Sequence, residues 1–308
     1  MIFPEPPKKG DKVGLIAPCS PVTPEEAAQS IEFLERRGYR VVAGASVLAV
    51  PVNGYCAGCG DLRARDINEM FAAPQIRAIF CLRGGDSGNH VLDKLNYDLV
   101  RANPKVFMGY SDITNFHVAF NQRAHLITFH GPMVKSNMIK DFDAFTEASM
   151  EKALALGADG TMDLDNPPDE PIQVLRPGKA RGICAGGNLS LINSLMGTPN
   201  ELDTKGKILF FEDVDEDTAH VDRFLHQLKY AGKFSDAAGV LIGDFANQSN
   251  RHNPDYLIEE LMRDFFADYG KPVLFNIKSG HCIPMSTIPL GAICTVDTEA
   301  GILRFSLK

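Results

Sequence analysis

Three residues with complementary chemistry each stand just after an apolar, strand-like run. Val106-Phe107-Met108-Gly109 leads into Tyr110-Ser111-Asp112-Ile113-Thr114. Ile208–Phe211 runs into Glu212-Asp213, and Val273–Ile277 is followed by Ser279-Gly280-His281. A histidine accepts a serine proton because its pKa lies near neutral pH, and a carboxylate fixes its tautomer and orientation. Serine, carboxylate and histidine are the parts of an acyl-transfer triad, and Ser…Glu…His is one of the chain orders in which such triads occur. Ser111 falls on a sharp strand-to-helix corner of the nucleophile-elbow kind, with Ile113 where that pattern has its second glycine. A helix N-cap accounts for Ser111 as simply, and a capped or solvated turn for the acidic pair. The residues alone leave both accounts open.

A second candidate is Cys81-Leu82-Arg83-Gly84-Gly85-Asp86-Ser87-Gly88, where an apolar strand enters a loop with three glycines in five residues. Backbone N–H groups of such a turn approach an anion closely. A tight strand-to-helix turn is the plainer account. Cys56-Ala57-Gly58-Cys59 lacks two further ligands at zinc spacing and lies in Gly- and Pro-rich surroundings, which marks surface-loop thiols. The acidic run from Glu212 to Asp217 suits a helix N-terminus better than a metal. His117, His125 and His130 are expected in packing or loop roles, and Cys282 is not expected to act beside His281.

The elements that carry these residues follow from periodicity and punctuation. Strands are expected at Lys12–Ala17, Tyr39–Val42, Ile76–Leu82, Val106–Met108 and Leu126–Phe129. Helices fall between them, one of them opened by Thr23-Pro24-Glu25-Glu26 as a capping box. Apolar strands alternating with helices indicate a mostly parallel sheet covered on both faces, with functional groups at its strand carboxyl ends. The Gly-, Asp- and Pro-rich segment 157–179 breaks that rhythm and reads as a linker. Beyond it come strands at Ile172–Leu175, Ile208–Phe211, Gly239–Ile242, Val273–Ile277 and Ala292–Thr295, a closing hairpin at Gly301–Ser306, and three helices. The division is therefore 1–156 for an α/β domain, 157–179 for the linker and 180–308 for a smaller, β-rich mixed domain.

Composition narrows the function classes. With 44% hydrophobic and 23% charged residues the 308-residue chain has material for a substantial core. A formal charge of -8 repels phosphate backbones and argues against nucleic acid as a partner. No apolar stretch suits a membrane span or a secretory signal, and the odd, scattered set of seven cysteines reads as reduced thiols. A cytoplasmic setting is expected. The first βα turn, Pro18-Cys19-Ser20-Pro21, lacks the glycine fingerprint of a dinucleotide site.

Seven pieces of the chain, in order and at approximate spacing, resemble the LD-carboxypeptidase family of serine peptidases, which includes the microcin C immunity peptidases. They are Val13–Pro18, Asp61–Asp66, Arg83-Gly84-Gly85, Gly109–Thr114, Gly186-Gly187-Asn188-Leu189 with Gly197-Thr198-Pro199, Phe211-Glu212-Asp213, and Gly280-His281 with Pro289-Leu290-Gly291. The resemblance implies a flavodoxin-like parallel-sheet domain followed by a smaller β-rich domain, with the active site in the cleft between them. It implies Ser111 as nucleophile, His281 as general base and Glu212 as its orienting carboxylate. The N–H groups of Gly85 and Asp112 would form the oxyanion hole. No metal or cofactor is implied. The expected substrate is a murein tetrapeptide that loses its C-terminal D-alanine during wall recycling, and a homodimer is expected. Arg83, beside Gly84, is the candidate to pair with the substrate carboxylate, because guanidinium meets carboxylate bidentately. Two departures touch the site: Asp86-Ser87-Gly88 stands where the family commonly has an aromatic and a glycine, and Cys282–Thr287 lacks a usual asparagine. The alternatives are the same triad acting on a peptide–nucleotide conjugate, against which the absence of tryptophan weighs, and a non-catalytic small-ligand binding protein.

Overall fold

The computed structural model describes residues 1–308. The first half alternates as expected: β1 (Lys12–Ile16), α1 (Pro24–Arg36), β2 (Arg40–Ala43), α2 (Gly60–Ala72), β3 (Ile76–Cys81), α3 (Tyr97–Ala102), β4 (Val106–Gly109), α4 (Thr114–Ala119), β5 (Thr128–His130) and α5 (Ala144–Asp159). The capping box at α1 is made in full. Glu26 N donates to Thr23 Oγ1 at 3.2 Å, and Thr23 N donates to Glu26 Oε2 at 2.9 Å.

The second half holds β6 (Thr161–Asp163), β7 (Gln173–Arg176), β8 (Lys179–Asn188), α6 (Leu189–Ser194), β9 (Ile208–Val214), α7 (Thr218–Tyr230), α8 (Lys233–Asp236), β10 (Gly239–Ala246), α9 (Ile258–Phe265), β11 (Val273–Phe275), β12 (Ile288–Leu290), β13 (Ile293–Asp297) and β14 (Ile302–Ser306). Three of these strands differ from the sequence expectation. β8 has ten residues, KARGICAGGN, whose charges and glycines do not look like a strand. β6 is a three-residue piece within 157–179. β12 contains Pro289, which is admitted because the strand lies at a sheet edge.

Two sheets result. The first has the order β12-β5-β4-β3-β1-β2. Its five N-terminal strands are parallel in the 2-1-3-4-5 order of flavodoxin-like folds, and β12 returns antiparallel from the far end of the chain. The second sheet has the order β6-β14-β13-β8-β9-β10-β11-β7. Its centre, β8 to β11, is parallel and its flanks are antiparallel, so it is mixed. Between the first sheet and its helices lies an aromatic cluster in which Phe107 meets Phe120 edge-on at 5.0 Å. No helix is long and apolar enough to cross a membrane.

Candidate active site

The loops after β1 and β3 border the point where strand order reverses, which is where open α/β sheets gather ligands. The Gly84 loop sits there, beside the corner that follows β4. Ser111 occupies that corner with φ 64°, a conformation unfavourable for a side-chain-bearing residue. Its Oγ makes no hydrogen bond within the chain. Gly84 packs against it so closely that a β-carbon there would lie 2.9 Å from Ser111 Cβ and 3.0 Å from Oγ. Only glycine fits.

Glu212 extends β9 and is completely buried. His281 Nδ1 lies 2.7 Å from Glu212 Oε2. A carboxylate acceptor places the proton on Nδ1 and leaves Nε2 as the free acceptor, the tautomer a general base needs. Burial alone would lower the His281 pKa, but the Glu212 charge and its hydrogen bond outweigh that and hold the imidazole above its ordinary value. Gly280 makes the pairing possible: with φ 121° it presses on the Glu212 carboxyl, and a β-carbon there would stand 2.7 Å from Glu212 Cγ.

Tyr110 joins the two halves of the constellation. It immediately precedes Ser111, and its ring meets the His281 imidazole edge-on at 4.8 Å between centroids. The glutamate–histidine pair is thus closed, and the serine stands on the neighbouring residue without a hydrogen bond to either. Catalytic hydrogen bonds commonly tighten only when substrate is bound.

Asn188 ends β8 in register with Glu212 on β9. Its backbone N–H donates to Thr114 Oγ1 at 2.8 Å, and its Nδ2 donates to Asp213 Oδ1 at 2.8 Å. The Gly186–Leu189 motif therefore fastens the second sheet to the helix that follows Ser111. Burial, and then the adjacent Glu212 carboxylate, push Asp213 up to about 7. The acidic run is not a metal cage: Asp213 serves Asn188 and Ser190, and Asp217 caps α7 through Ala219 N.

Arg83 is half-buried at the start of the glycine loop and makes no hydrogen bond or ion pair. Glu26 and Lys135 lie nearby, joined by an ion pair of 3.2 Å. Burial would raise the Glu26 pKa, yet the Thr23 N–H, Lys135 and the Arg83 charge together hold it below the usual range. Of the other candidates, His117 is buried between Gly109 O at 2.8 Å and Thr128 Oγ1 at 2.9 Å. His130 is buried edge-on to Phe210 at 5.1 Å, and His125 is an exposed turn residue. Packing and loop roles thus hold for all three. Cys59 is exposed, but Cys56 is buried, so the pair is not a surface motif as expected from its glycines. Burial pushes the Cys282 thiol up, which disfavours its thiolate.

Sequence reasoning did not single out Tyr110, Asn188, Thr114 or Arg63 for their side chains. All four lie inside the motif pieces, which was the available signal. Residues 13–131 match the LD-carboxypeptidase N-terminal domain, and residues 181–296 match the LD-carboxypeptidase C-terminal domain. The chain belongs to the LD-carboxypeptidase family. A probable murein peptide carboxypeptidase of Bacillus subtilis is 40% identical over 97% of this chain and 95% of its own length. The microcin C7 self-immunity protein MccF of Escherichia coli is 30% identical, over 94% of this chain and 91% of its own. The crystal structure of a muramoyltetrapeptide carboxypeptidase from Oxalobacter formigenes superposes with a TM-score of 0.81 at 25% identity, covering 96% of this chain and 97% of that one. Membership of this family makes the chain a carboxypeptidase, and the two-sheet α/β architecture is the family's own.

Proposed function

We propose that this protein is a cytoplasmic serine carboxypeptidase that removes the C-terminal D-alanine of a murein tetrapeptide, working as a homodimer without metal or cofactor. The observation that carries the proposal is the buried Glu212–His281 hydrogen bond, set edge-on to the residue that precedes a strained Ser111. The murein substrate comes from the names borne by the relatives. Residues 1–156 supply the nucleophile and 180–308 the glutamate and histidine, on either side of the segment 157–179.

Ser111 Oγ attacks the scissile carbonyl as His281 Nε2 takes its proton, and Glu212 stabilises the imidazolium that forms. The carbonyl oxygen becomes an oxyanion held by the N–H groups of Gly85 and Asp112, each donor worth about 3 kcal/mol of barrier in comparable sites. His281 returns the proton to the departing D-alanine nitrogen. Water, deprotonated by His281, then cleaves the acyl-enzyme and restores Ser111. Arg83, the half-buried cation with no partner of its own, receives the substrate's terminal carboxylate beside Gly84.

The test is D-alanine release from murein tetrapeptide by the native protein and by Ser111→Ala. Release that vanishes in the variant supports nucleophile and substrate together. Native release that survives in Ser111→Ala overturns the serine mechanism. No release, with Ser111 still labelled by a fluorophosphonate, keeps the triad and discards the substrate in favour of a peptide–nucleotide conjugate. Neither release nor labelling points to a binding protein.

A further inference from the structure

The Asp61–Asp66 motif on α2 has no part in the chemistry above, yet Arg63 at its centre is among the largest fully buried side chains of the chain. A buried guanidinium is costly unless its donors are met. No carboxylate pairs with it. Its Nη1 instead donates to Pro18 O at 2.8 Å, Ser87 O at 2.9 Å and Ser87 Oγ at 3.0 Å, while its Nε is buried without a partner. Ser87 is gripped from its other side by Asp112, whose Oδ2 accepts from Ser87 N at 2.8 Å and from Gly88 N at 2.7 Å. A buried cation and a buried carboxylate thus hold the same serine, one through its carbonyl and hydroxyl, the other through its N–H.

We infer that Arg63, Ser87 and the Asp112 carboxylate form a clamp that positions the oxyanion hole, with Arg63 its positioning residue. This rests on the roles proposed above for Ser111, Gly85 and Asp112. The geometry is direct. Ser20 N donates to Gly84 O at 3.2 Å, which fixes the Gly84–Gly85 peptide plane. In a trans peptide the N–H points opposite to the carbonyl, so the Gly85 N–H is aimed away from Ser20. Arg63 ties the loop after β1, through Pro18 O, to the loop after β3. Ser87 Oγ adds a bond to Cys19 O at 3.3 Å. Asp112 then ties that unit to itself. The residue whose N–H is one oxyanion donor therefore anchors, through its side chain, the loop that supplies the other. Fixing the spacing of two donors before substrate arrives is what electrostatic preorganisation requires.

A clamp acts on the transition state, whereas a mere brace acts on folding or on substrate binding. The experiment compares Arg63→Lys and Ser87→Ala in the full chain. Arg63→Lys keeps the charge and loses the planar fork. Ser87→Ala removes only the hydroxyl and serves where the lysine variant does not fold. At a temperature where each variant is folded, kcat for D-alanine release is expected to fall about 100-fold in Arg63→Lys and less in Ser87→Ala, with KM within about twofold. The rate constant for Ser111 phosphonylation by a fluorophosphonate, which also builds a tetrahedral adduct in the hole, should fall in parallel. Native kcat and labelling rate in both folded variants, or a loss confined to KM, would overturn the clamp alone. D-Alanine release by Ser111→Ala would overturn the serine mechanism and the clamp's purpose with it.

Discussion

Gly280→Ala is the sharpest test of the glutamate–histidine pair, because the residue has no side chain that could take part in the chemistry itself. A β-carbon at Gly280 would lie 2.7 Å from Glu212 Cγ and 2.8 Å from Cδ, where ordinary contact begins at 3.4 Å. The Glu212 side chain is enclosed, with Gly243 packed on its other flank so tightly that a β-carbon there would stand 2.8 Å from Glu212 Cβ. The carboxyl cannot retreat that way, so Gly280 and the attached His281 must move by roughly 1 Å. Displacements of that size at a reacting group cost about 100-fold in rate. The φ of 121° adds strain of order 1–3 kcal/mol, which lowers stability as well. D-Alanine release is to be measured under saturating substrate, with thermal melts to confirm folding. The expected result is a kcat near one hundredth of native with little change in KM. A folded variant within threefold of native kcat would refute the claim that this backbone contact sets the His281 position.

Three further outcomes follow from the same geometry. Glu212→Gln removes the charge that lifts the His281 pKa, so the acid limb of the kcat/KM profile should move to lower pH while its plateau falls by about 1,000-fold or more; an unmoved limb would show that Glu212 does not set the base. Ser111→Gly should abolish activity yet raise stability to urea by roughly 1 kcal/mol, because glycine relieves the φ of 64°, and an unchanged midpoint would mean that the corner stores no strain. His117, held by burial at about 4 against an ordinary 6.5, stays neutral in the fold while the unfolded chain takes up a proton. Its stabilisation is therefore complete above pH 6.5 and is lost as pH falls toward 4, a change of roughly 3 kcal/mol. Urea midpoints between pH 7.5 and 4 should show it, and His117→Asn should flatten the slope.

Much of the framework was legible in the sequence because it is encoded locally. Apolar runs of strand length alternate with capped helices, and Thr23 with Glu26 builds its capping box from four consecutive residues. The strand-to-turn junction at Ser111 is a local signal too, and Gly280-His281 follows shortly after the run at Val273, whereas Glu212, expected just past its strand, lies within β9. What local pattern does not encode is which strand pairs with which. β8 escaped notice because its glycines and charges are tolerated only by specific neighbours: Gly186 and Gly187 lie against Phe210 and Phe211 of β9 in register. β12 joins a sheet whose other strands were finished some 150 residues earlier.

The tertiary structure alone decided which of these side chains meet. Glu212 and His281 are 69 residues apart and meet because β9 and the loop after β11 open on the same side of one sheet. Tyr110, the residue before Ser111, meets His281 edge-on, and Asn188 fastens that sheet to Thr114. Arg63 looks in sequence like one more surface charge on an amphipathic helix. Its burial under the glycine loop follows only when α2 packs across the ends of β1 and β3, where three oxygens gather on its Nη1. Side-chain type and spacing determined what these residues are able to do. Packing between distant segments determined which of them face one another, because that choice is set by the free energy of the whole core.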